Sequence, residues 1–260
     1  MRLDTIEELE NMARVIRRDI VEEVYTASSG HPGGSLSIAD VLTVLYFNQM
    51  NINPDKPKDE NRDRLVLSKG HCCPALYATL ANRGYFDKKY LKELRKINGL
   101  LQGHPDMKKI PGIDMSSGSL GQGLSAANGM AMASKLDGRG IRVYCIVGDG
   151  EIQEGQIWEA AMSSAHYKLD NLCVVVDNNN LQIDGEVKDV MSVYPIYEKF
   201  KSFGFETINI DGNNIKEILD AFQKAKEIKG KPTAIIAKTI KGKGVSFMEN
   251  KAGWHRKSAK

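Results

Sequence analysis

Polar residues follow two apolar segments of this sequence, at the points where strands are predicted to end. Gly148-Asp149-Gly150-Glu151 follows the apolar run 141–147, and Asp177-Asn178-Asn179-Asn180 follows the run 172–176, 28 residues beyond Asp149. Carboxylate and amide oxygens are hard ligands that suit Mg²⁺ or Ca²⁺, and Mg²⁺ sites are often completed by phosphate oxygens. Backbone N–H groups at Gly150, where a helix is predicted to open, would suit a diphosphate. Each segment alone is also typical of an ordinary turn, so only the pair indicates such a site.

The elements around these segments alternate between strand and helix. A strand at 141–147, a helix at 155–167 and a strand at 172–176 have the length of a βαβ unit. Short, wholly apolar strands are typical of a parallel sheet that is covered on both faces. The pattern also predicts strands at 65–67, 207–210 and 234–237 and helices at 4–26, 37–50, 74–83, 87–97, 121–136 and 214–229. We therefore predict an α/β fold with a doubly wound, mostly parallel sheet flanked by helices, which binds ligands at the carboxyl ends of its strands.

Histidine is the second residue type that could do chemistry here, because the unperturbed imidazole pKa is about 6.5 and the ring exchanges protons near neutral pH. Four of the five histidines stand in loop-like, Gly- or Pro-flanked contexts: His31, His71, His104 and His255. His166 instead closes a predicted helix, where it is interpreted as a charge at the helix C-terminus. A lone histidine in a loop is more often simply an exposed polar residue.

The composition is that of a globular protein with an uneven charge. The 260 residues are 42% hydrophobic with a formal net charge of +3, which is enough for one large domain that we place at 1–260. Residues 226–260 contain ten Lys or Arg and two acidic residues. We expect 241–260 to be an extended basic segment, which suits either a solvated end or a phosphate-bearing ligand.

Several classes of protein are disfavoured by the same composition. No run approaches the roughly 20 uncharged residues of a membrane span, so we expect no membrane association. No zinc finger or RNA-binding aromatic motif accompanies the basic end, so no nucleic-acid partner is expected. Met1–Glu10 carries four acidic residues and is not a signal peptide. The four cysteines form no legible disulfide framework or metal motif, and we predict a cytoplasmic location.

Six short motifs give the chain a family resemblance. They are Ser29-Gly30-His31-Pro32-Gly33, Ser68-Lys69-Gly70-His71, Gly103-His104-Pro105, Ser117-Gly118-Ser119-Leu120-Gly121-Gln122-Gly123, Gly148-Asp149-Gly150-Glu151-Ile152-Gln153-Glu154-Gly155 and Asp177-Asn178-Asn179. In this order they resemble the N-terminal, thiamine diphosphate-binding region of transketolases, and the likeness extends over nearly the whole chain. Each motif alone is weak evidence, whereas six in the family's order are specific.

The resemblance implies a cofactor site for thiamine diphosphate with Mg²⁺ or Ca²⁺. By similarity, Asp149, Asn179 and the backbone carbonyl of Leu181 bind the metal. Four further residues resemble cofactor contacts, with Gly150 and His71 at the diphosphate and Gly118 and Leu120 at the rings.

The resemblance also implies roles for three histidines and one glutamate. His31, His104 and His255 are similar to the family's substrate-facing, catalytic histidines, although Arg256 stands where the family continues with Gly. Glu154 resembles the cofactor-site glutamate at the contact between two active centres. The implied reaction is two-carbon ketol transfer between ketose and aldose phosphates.

A partner is implied as well, because transketolases are more than twice this long and their second half completes the active site. We expect a separate C-terminal subunit with the pyrimidine-binding and C-terminal domains, in a heterotetramer of two of each, and no activity without it. Two alternatives are a related split ketol-transfer enzyme for a different sugar phosphate and a non-catalytic scaffold subunit that keeps the cofactor fold.

Overall fold

The computed structural model describes residues 2–257, and its centre is a five-stranded, wholly parallel sheet in the order β1-β2-β3-β5-β4. The strands are β1 (Arg64–Leu67), β2 (Val143–Gly148), β3 (Leu172–Asn178), β4 (Glu206–Asp211) and β5 (Thr233–Lys238). The register pairs Gly148 with Asp177 and Leu67 with Ile146. The two polar motifs therefore begin side by side at one edge of the sheet.

Nine α-helices are found in residues 2–257, and most of them cover the two faces of this sheet. They are α1 (Ile6–Ala27), α2 (Pro32–Ser37), α3 (Ala39–Val44), α4 (Cys73–Arg83), α5 (Gln122–Leu136), α6 (Gly155–His166), α7 (Val187–Val190), α8 (Ile196–Ser202) and α9 (Ile215–Glu227). Because side chains alternate along a strand, Tyr144 and Val175 pack in one core with α1, α3, α4 and α9. Cys145 and Val174 pack in the other core with α5, α6 and α8. The predicted fold class is confirmed.

Local sequence signals set the ends of several helices. Thr5 and Glu8 form a capping box at the start of α1, which satisfies backbone donors that the first helical turn leaves free. The Asn214 side chain accepts from the first backbone N–H groups of α9. Gly121, before α5, has a left-handed backbone with φ of 84°, and a Cβ there would lie 2.7 Å from Glu154 Cβ. Only glycine fits that junction.

Three local predictions differ from the structure. The helix predicted at 87–97 is wrong, because a 3₁₀ helix at Lys88–Glu93 is followed by turns. The helix predicted at 37–50 is interrupted at Ile38: its second part, α3, runs into a π turn at Leu45–Gln49, and its first part, α2, begins earlier, at Pro32. Proline at the first helical position has no N–H to lose, so it starts that helix rather than breaking it. The short helices α7 and α8 were not predicted.

The chain after β5 returns to the ends of the strands. Residues 241–257 form turns and a 3₁₀ helix at Ala252–Trp254, with Lys241 and Met248 buried. The last three residues of the predicted basic segment 241–260 lie outside the described residues. No helix within residues 2–257 is long and apolar enough to cross a membrane.

Candidate functional site

A cavity of about 260 Å³ opens at the carboxyl ends of β1, β2 and β3. Ten of the predicted site residues line it: His31, His71, His104, Gly118, Leu120, Asp149, Gly150, Asn179, Leu181 and His255. Their motifs are far apart in sequence, and the parallel sheet brings them together. The cavity is also lined by residues without a predicted role, among them Lys69, Glu151 and Lys241. The roles of the ten residues stay predictions at this point.

Asp149 is a buried carboxylate at the end of β2. It is 2% exposed and accepts hydrogen bonds from the backbone N–H groups of Gly150 at 2.8 Å and Asn180 at 2.5 Å. The pKa of Asp149 is raised to about 7, because burial and then the charge of Asp177 raise it by more than the two backbone donors lower it. A bound cation would stabilise the ionised form of this buried carboxylate.

Asn179 and Leu181 follow on the next loop. The Asn179 side chain donates to Asp177 Oδ2 at 2.9 Å, and its Oδ1 accepts from the Leu181 N–H at 3.1 Å. The Leu181 carbonyl accepts from Lys241 Nζ at 3.0 Å. Asp149, Asn179 and Leu181 thus offer the three oxygen types of a hard-metal site, and the second lone pair of the Leu181 carbonyl is available beside the Lys241 bond.

Asp177, in the same motif, has a structural position. It is fully buried and accepts from Lys69 Nζ at 2.5 Å, Ser37 Oγ at 2.6 Å and the Thr239 hydroxyl. Burial alone would raise the pKa of Asp177, but the charge of Lys69 and these hydrogen bonds outweigh it and lower the pKa. Asp177 therefore stays ionised and joins the segments that follow β1 and β5 to the last residue of α2.

Glu151 is a second buried carboxylate that holds separate segments of the chain together, here in the cavity wall. It is 3% exposed, and its Oε1 accepts from Ser68 Oγ at 2.5 Å and the Gly121 N–H at 3.0 Å. Its Oε2 accepts from the Gly148 N–H at 3.0 Å. One side chain thereby fixes the loop after β1, the start of α5 and the end of β2.

Two lysines complete the charge pattern of the cavity, and sequence reasoning assigned them no role. Lys69 is 3% exposed and Lys241 is 2% exposed. Burial lowers the pKa of Lys241, whereas for Lys69 the ion pair with Asp177 overrides burial and raises the pKa. The sequence carries no signal that marks these two lysines as buried, because lysine is usually a surface residue.

Three histidines cluster at the mouth of the cavity. The ring centroids of His31, His71 and His255 lie 5.1 to 5.4 Å apart. The pKa of His31 is lowered to about 4, by burial and then by Arg95, and that of His255 to about 3, by burial and then by Lys241. The pKa of His71 is lowered in the same way, first by burial and then by Lys69. All three rings are therefore neutral near pH 7.

His104 and Glu154 occupy more exposed positions. The His104 ring lies over Gly118, where a Cβ would be 3.3 Å from His104 Cδ2. Burial and then Arg95 lower the pKa of His104. Glu154 does not line the cavity; it is exposed at the start of α6 and packs against Gly121. Its predicted place between two active centres stays a prediction.

Two glycines in the cavity wall let neighbouring side chains pack closely against the backbone. A Cβ at Gly34 would lie 2.7 Å from Cys72 Sγ, and one at Gly150 would lie 3.2 Å from Gln182 Cβ. The Gly150 N–H itself donates to Asp149. Buried cations, close-packed glycines and hard oxygen donors in one cavity fit a metal-bound diphosphate.

The parallel sheet and the cavity at its strand ends define an α/β cofactor-binding domain. Residues 7–258 match the family described as transketolase, thiamine diphosphate binding domain. The chain therefore belongs to the transketolase family, whose members are transferases, and carries its cofactor-binding domain.

Individual relatives support this membership. The chain is 48% identical over 248 residues to the 6-deoxy-6-sulfo-D-fructose transketolase subunit SqwG of Clostridium sp. (strain MSTE9), covering 95% of this chain and 90% of the relative. It is 44% identical to one of the subunits of the apulose-4-phosphate transketolase of Phocaeicola vulgatus (strain ATCC 8482), covering 96% and 89%. Among solved structures, transketolase from Campylobacter jejuni is similar with a TM-score of 0.92 and 36% identity; the chain aligns over 98% of its length and spans 41% of that larger chain.

Proposed function

We propose that this chain is the cofactor-binding, N-terminal subunit of a transketolase that transfers a two-carbon ketol group between ketose and aldose phosphates, a reaction of pentose phosphate metabolism. The observation that supports this most directly is the single cavity that joins Asp149 and Asn179 with three neutral histidines. A metal-type donor set and a group of proton-exchanging rings occur together there. A scaffold protein would need neither.

Thiamine diphosphate and Mg²⁺ are the proposed cofactors, with Ca²⁺ as a substitute metal. Asp149, Asn179 and the Leu181 carbonyl would hold the metal, while Gly150 and His71 would face the diphosphate. Gly118 and Leu120 would lie against the rings. When bound, thiamine diphosphate supplies the thiazolium that stabilises a carbanion equivalent. The protein supplies orientation, exclusion of water and proton exchange.

The histidines are proposed to act on substrate hydroxyl protons. A neutral imidazole has one donor and one acceptor nitrogen, so His31, His104 and His255 can each hydrogen-bond a sugar hydroxyl and orient its proton for transfer. The low pKa values of His31 and His255 keep both rings neutral even in mildly acidic solution. Protonated rings would bring further positive charge next to Lys69 and Lys241.

A separate C-terminal subunit is the proposed partner, in a heterotetramer of two of each chain. Two observations support it: relatives of nearly this length are named as subunits, and the larger transketolase of Campylobacter jejuni extends well beyond the aligned region. Glu154, which is exposed at the start of α6, is proposed to contact a second active centre. The four cysteines are free and buried, which supports the proposed cytoplasmic location.

The test is reconstitution. The chain is co-expressed with a candidate C-terminal subunit, and transfer from xylulose 5-phosphate to ribose 5-phosphate is followed with thiamine diphosphate and Mg²⁺. We expect activity from the pair and none from this chain alone. Activity of the chain alone would refute the two-subunit proposal. If the two chains form a complex that is inactive on every sugar phosphate, the scaffold alternative would be favoured. Activity confined to another ketose would refute the proposed substrate pair.

A residue-level test addresses the metal site in the same complex. Asp149→Ala should abolish Mg²⁺-dependent binding of thiamine diphosphate, measured by isothermal titration calorimetry. Asp184→Ala removes an exposed carboxylate from the neighbouring loop and should leave binding unchanged. Equal affinities in the two variants would remove Asp149 from the metal site.

A further inference from the structure

Arg95 lies beside the cavity, in contact with a predicted catalytic histidine. Its Nη1 donates to Ser29 Oγ at 3.0 Å, and its Nη2 lies 3.5 Å from His31 Nδ1. No salt bridge joins Arg95 to a carboxylate within residues 2–257. Its guanidinium is therefore directed at the Ser29-Gly30-His31 segment and is not neutralised by an ion pair.

The local backbone places the guanidinium there. Arg95 has a left-handed backbone with φ of 59°, and its N–H donates to the Leu101 carbonyl at 2.8 Å. Gly103 leaves the space, because a Cβ there would lie 3.0 Å from Arg95 Nε and 3.1 Å from Cζ. A non-glycine residue in the left-handed region costs free energy that surrounding contacts must offset. The left-handed backbone, the hydrogen bond to Leu101 and the space beside Gly103 thus all favour the same position of the Arg95 side chain.

Chemistry restricts what can face this group. A guanidinium has N–H donors and no acceptor, so an N–H at His31 Nδ1 would point one donor at another. In a neutral imidazole one nitrogen carries the proton and the other accepts. We propose that Arg95 is a positioning residue that fixes His31 as the tautomer protonated at Nε2, so that His31 meets a substrate oxygen as a hydrogen-bond donor.

Other groups around His31 keep it neutral without choosing the tautomer. It faces titratable or charged groups on three segments: His71 after β1, His104 and Arg95 in the connection to α5, and Lys241, His255 and Arg256 after β5. Burial contributes most to the low pKa of His31, followed by Arg95. Among these groups, Arg95 places a hydrogen-bonding atom against Nδ1.

The tautomer can be measured without turnover, in the assembled complex with histidine ¹⁵N-labelled in this chain only. Long-range ¹H–¹⁵N spectra, assigned with His31→Gln, should show Nδ1 unprotonated and Nε2 protonated in the wild type. Arg95→Met should give mixed tautomers and a higher His31 pKa, and Gly103→Ala should do the same by displacing the guanidinium. Lys96→Met removes a neighbouring exposed cation and serves as the control. An unchanged tautomer in Arg95→Met would overturn the proposal.

The consequence for turnover rests on the proposed function. In the reconstituted enzyme Arg95→Met should lower kcat by about tenfold or more, since misoriented catalytic groups cost rates of that order. The acidic limb of its pH profile should move to higher pH, because His31 protonates more easily, and Arg95→Lys should recover part of both effects. A changed tautomer with unchanged kcat would refute the positioning role. A wild-type complex inactive on all sugar phosphates would contradict the proposed function, while the spectra would still decide the tautomer.

Discussion

The buried ion pair between Lys69 and Asp177 is the contact whose removal should cost this domain most. Lys69 is 3% exposed and Asp177 is fully buried, with Nζ and Oδ2 2.5 Å apart. Removing one partner of a buried pair leaves an uncompensated charge and costs about 3–5 kcal/mol. A domain has about 5–15 kcal/mol of unfolding free energy in total. Lys69→Met should therefore remove a large fraction of the stability.

The remaining contacts of Asp177 set how much of the loss can be recovered. Ser37, Thr239 and Asn179 all donate to its carboxylate. An amide at position 177 could still accept from Ser37 and Asn179, which share Oδ2, through its single oxygen, and its NH₂ group could donate to the rotatable Thr239 hydroxyl. The double variant Lys69→Met/Asp177→Asn buries no charge at this point. Its loss should be smaller than that of Lys69→Met by about 1–3 kcal/mol, in the range of coupling energies for residues in one network.

Urea denaturation followed by circular dichroism measures these differences. Lys188→Met is the matched control, because Lys188 pairs with Glu186 at 2.8 Å but is 57% exposed, and exposed pairs contribute about 0–1 kcal/mol. If Lys69→Met costs no more than Lys188→Met, the buried pair does not hold the ends of β1 and β3 together. If the double variant is no more stable than the single one, the loss does not come from an unpaired charge.

Four further substitutions test other parts of the structure. Gly34→Ala brings a Cβ within 2.7 Å of Cys72 Sγ, so it should weaken thiamine diphosphate binding and lower the unfolding free energy by about 1–3 kcal/mol. Gly129→Ala, whose Cβ would meet nothing within 4 Å, should instead stabilise α5 by about 0.5–1 kcal/mol. Urea denaturation measures both stabilities, and calorimetry measures the binding. Glu23 is fully buried with both carboxylate oxygens unpartnered within the described chain, and burial raises its pKa. Wild-type stability should therefore fall as the pH rises above the ordinary glutamate pKa of about 4.3. The urea midpoints of Glu23→Gln should not show this pH dependence. Asn214→Ala removes the cap of α9 and should cost about 1 kcal/mol in the same assay.

The sheet was predictable from sequence because its strands are short and wholly apolar. The runs at 141–147 and 172–176 were predicted from this pattern alone, and the structure has β2 and β3 at Val143–Gly148 and Leu172–Asn178. Because helices cover both faces of the sheet, its central strands have no polar face and appear in the sequence as continuous apolar runs. The segment 87–97 had helical spacing too, and Leu91 and Leu94 are indeed buried. The chain nevertheless turns at Arg95, because its N–H bonds the Leu101 carbonyl, a contact that no local pattern encodes.

The site was predictable where a motif carries its own chemistry, as at Asp149, and not where a role depends on a distant partner. Lys69 stays charged in the interior only because Asp177, 108 positions away, lies at the end of a strand in the same sheet. Lys241 is buried against the Leu181 carbonyl and His255 Nδ1. Neither lysine could be singled out before the fold brought its partners to it.

Three carboxylates near the carboxyl ends of β2 and β3 show how the fold directs a cation to one of them. Asp177 is saturated by Lys69 and neutral donors, and its pKa is lowered. Glu151 accepts from three donors that tie separate segments together. Asp149 accepts from two backbone N–H groups and, within the described chain, has no paired cation, so burial raises its pKa to about 7. Since a buried carboxylate is costly unless paired, the first two fix the positions of β1, β2 and β3, and a positive charge entering the cavity gains most at Asp149.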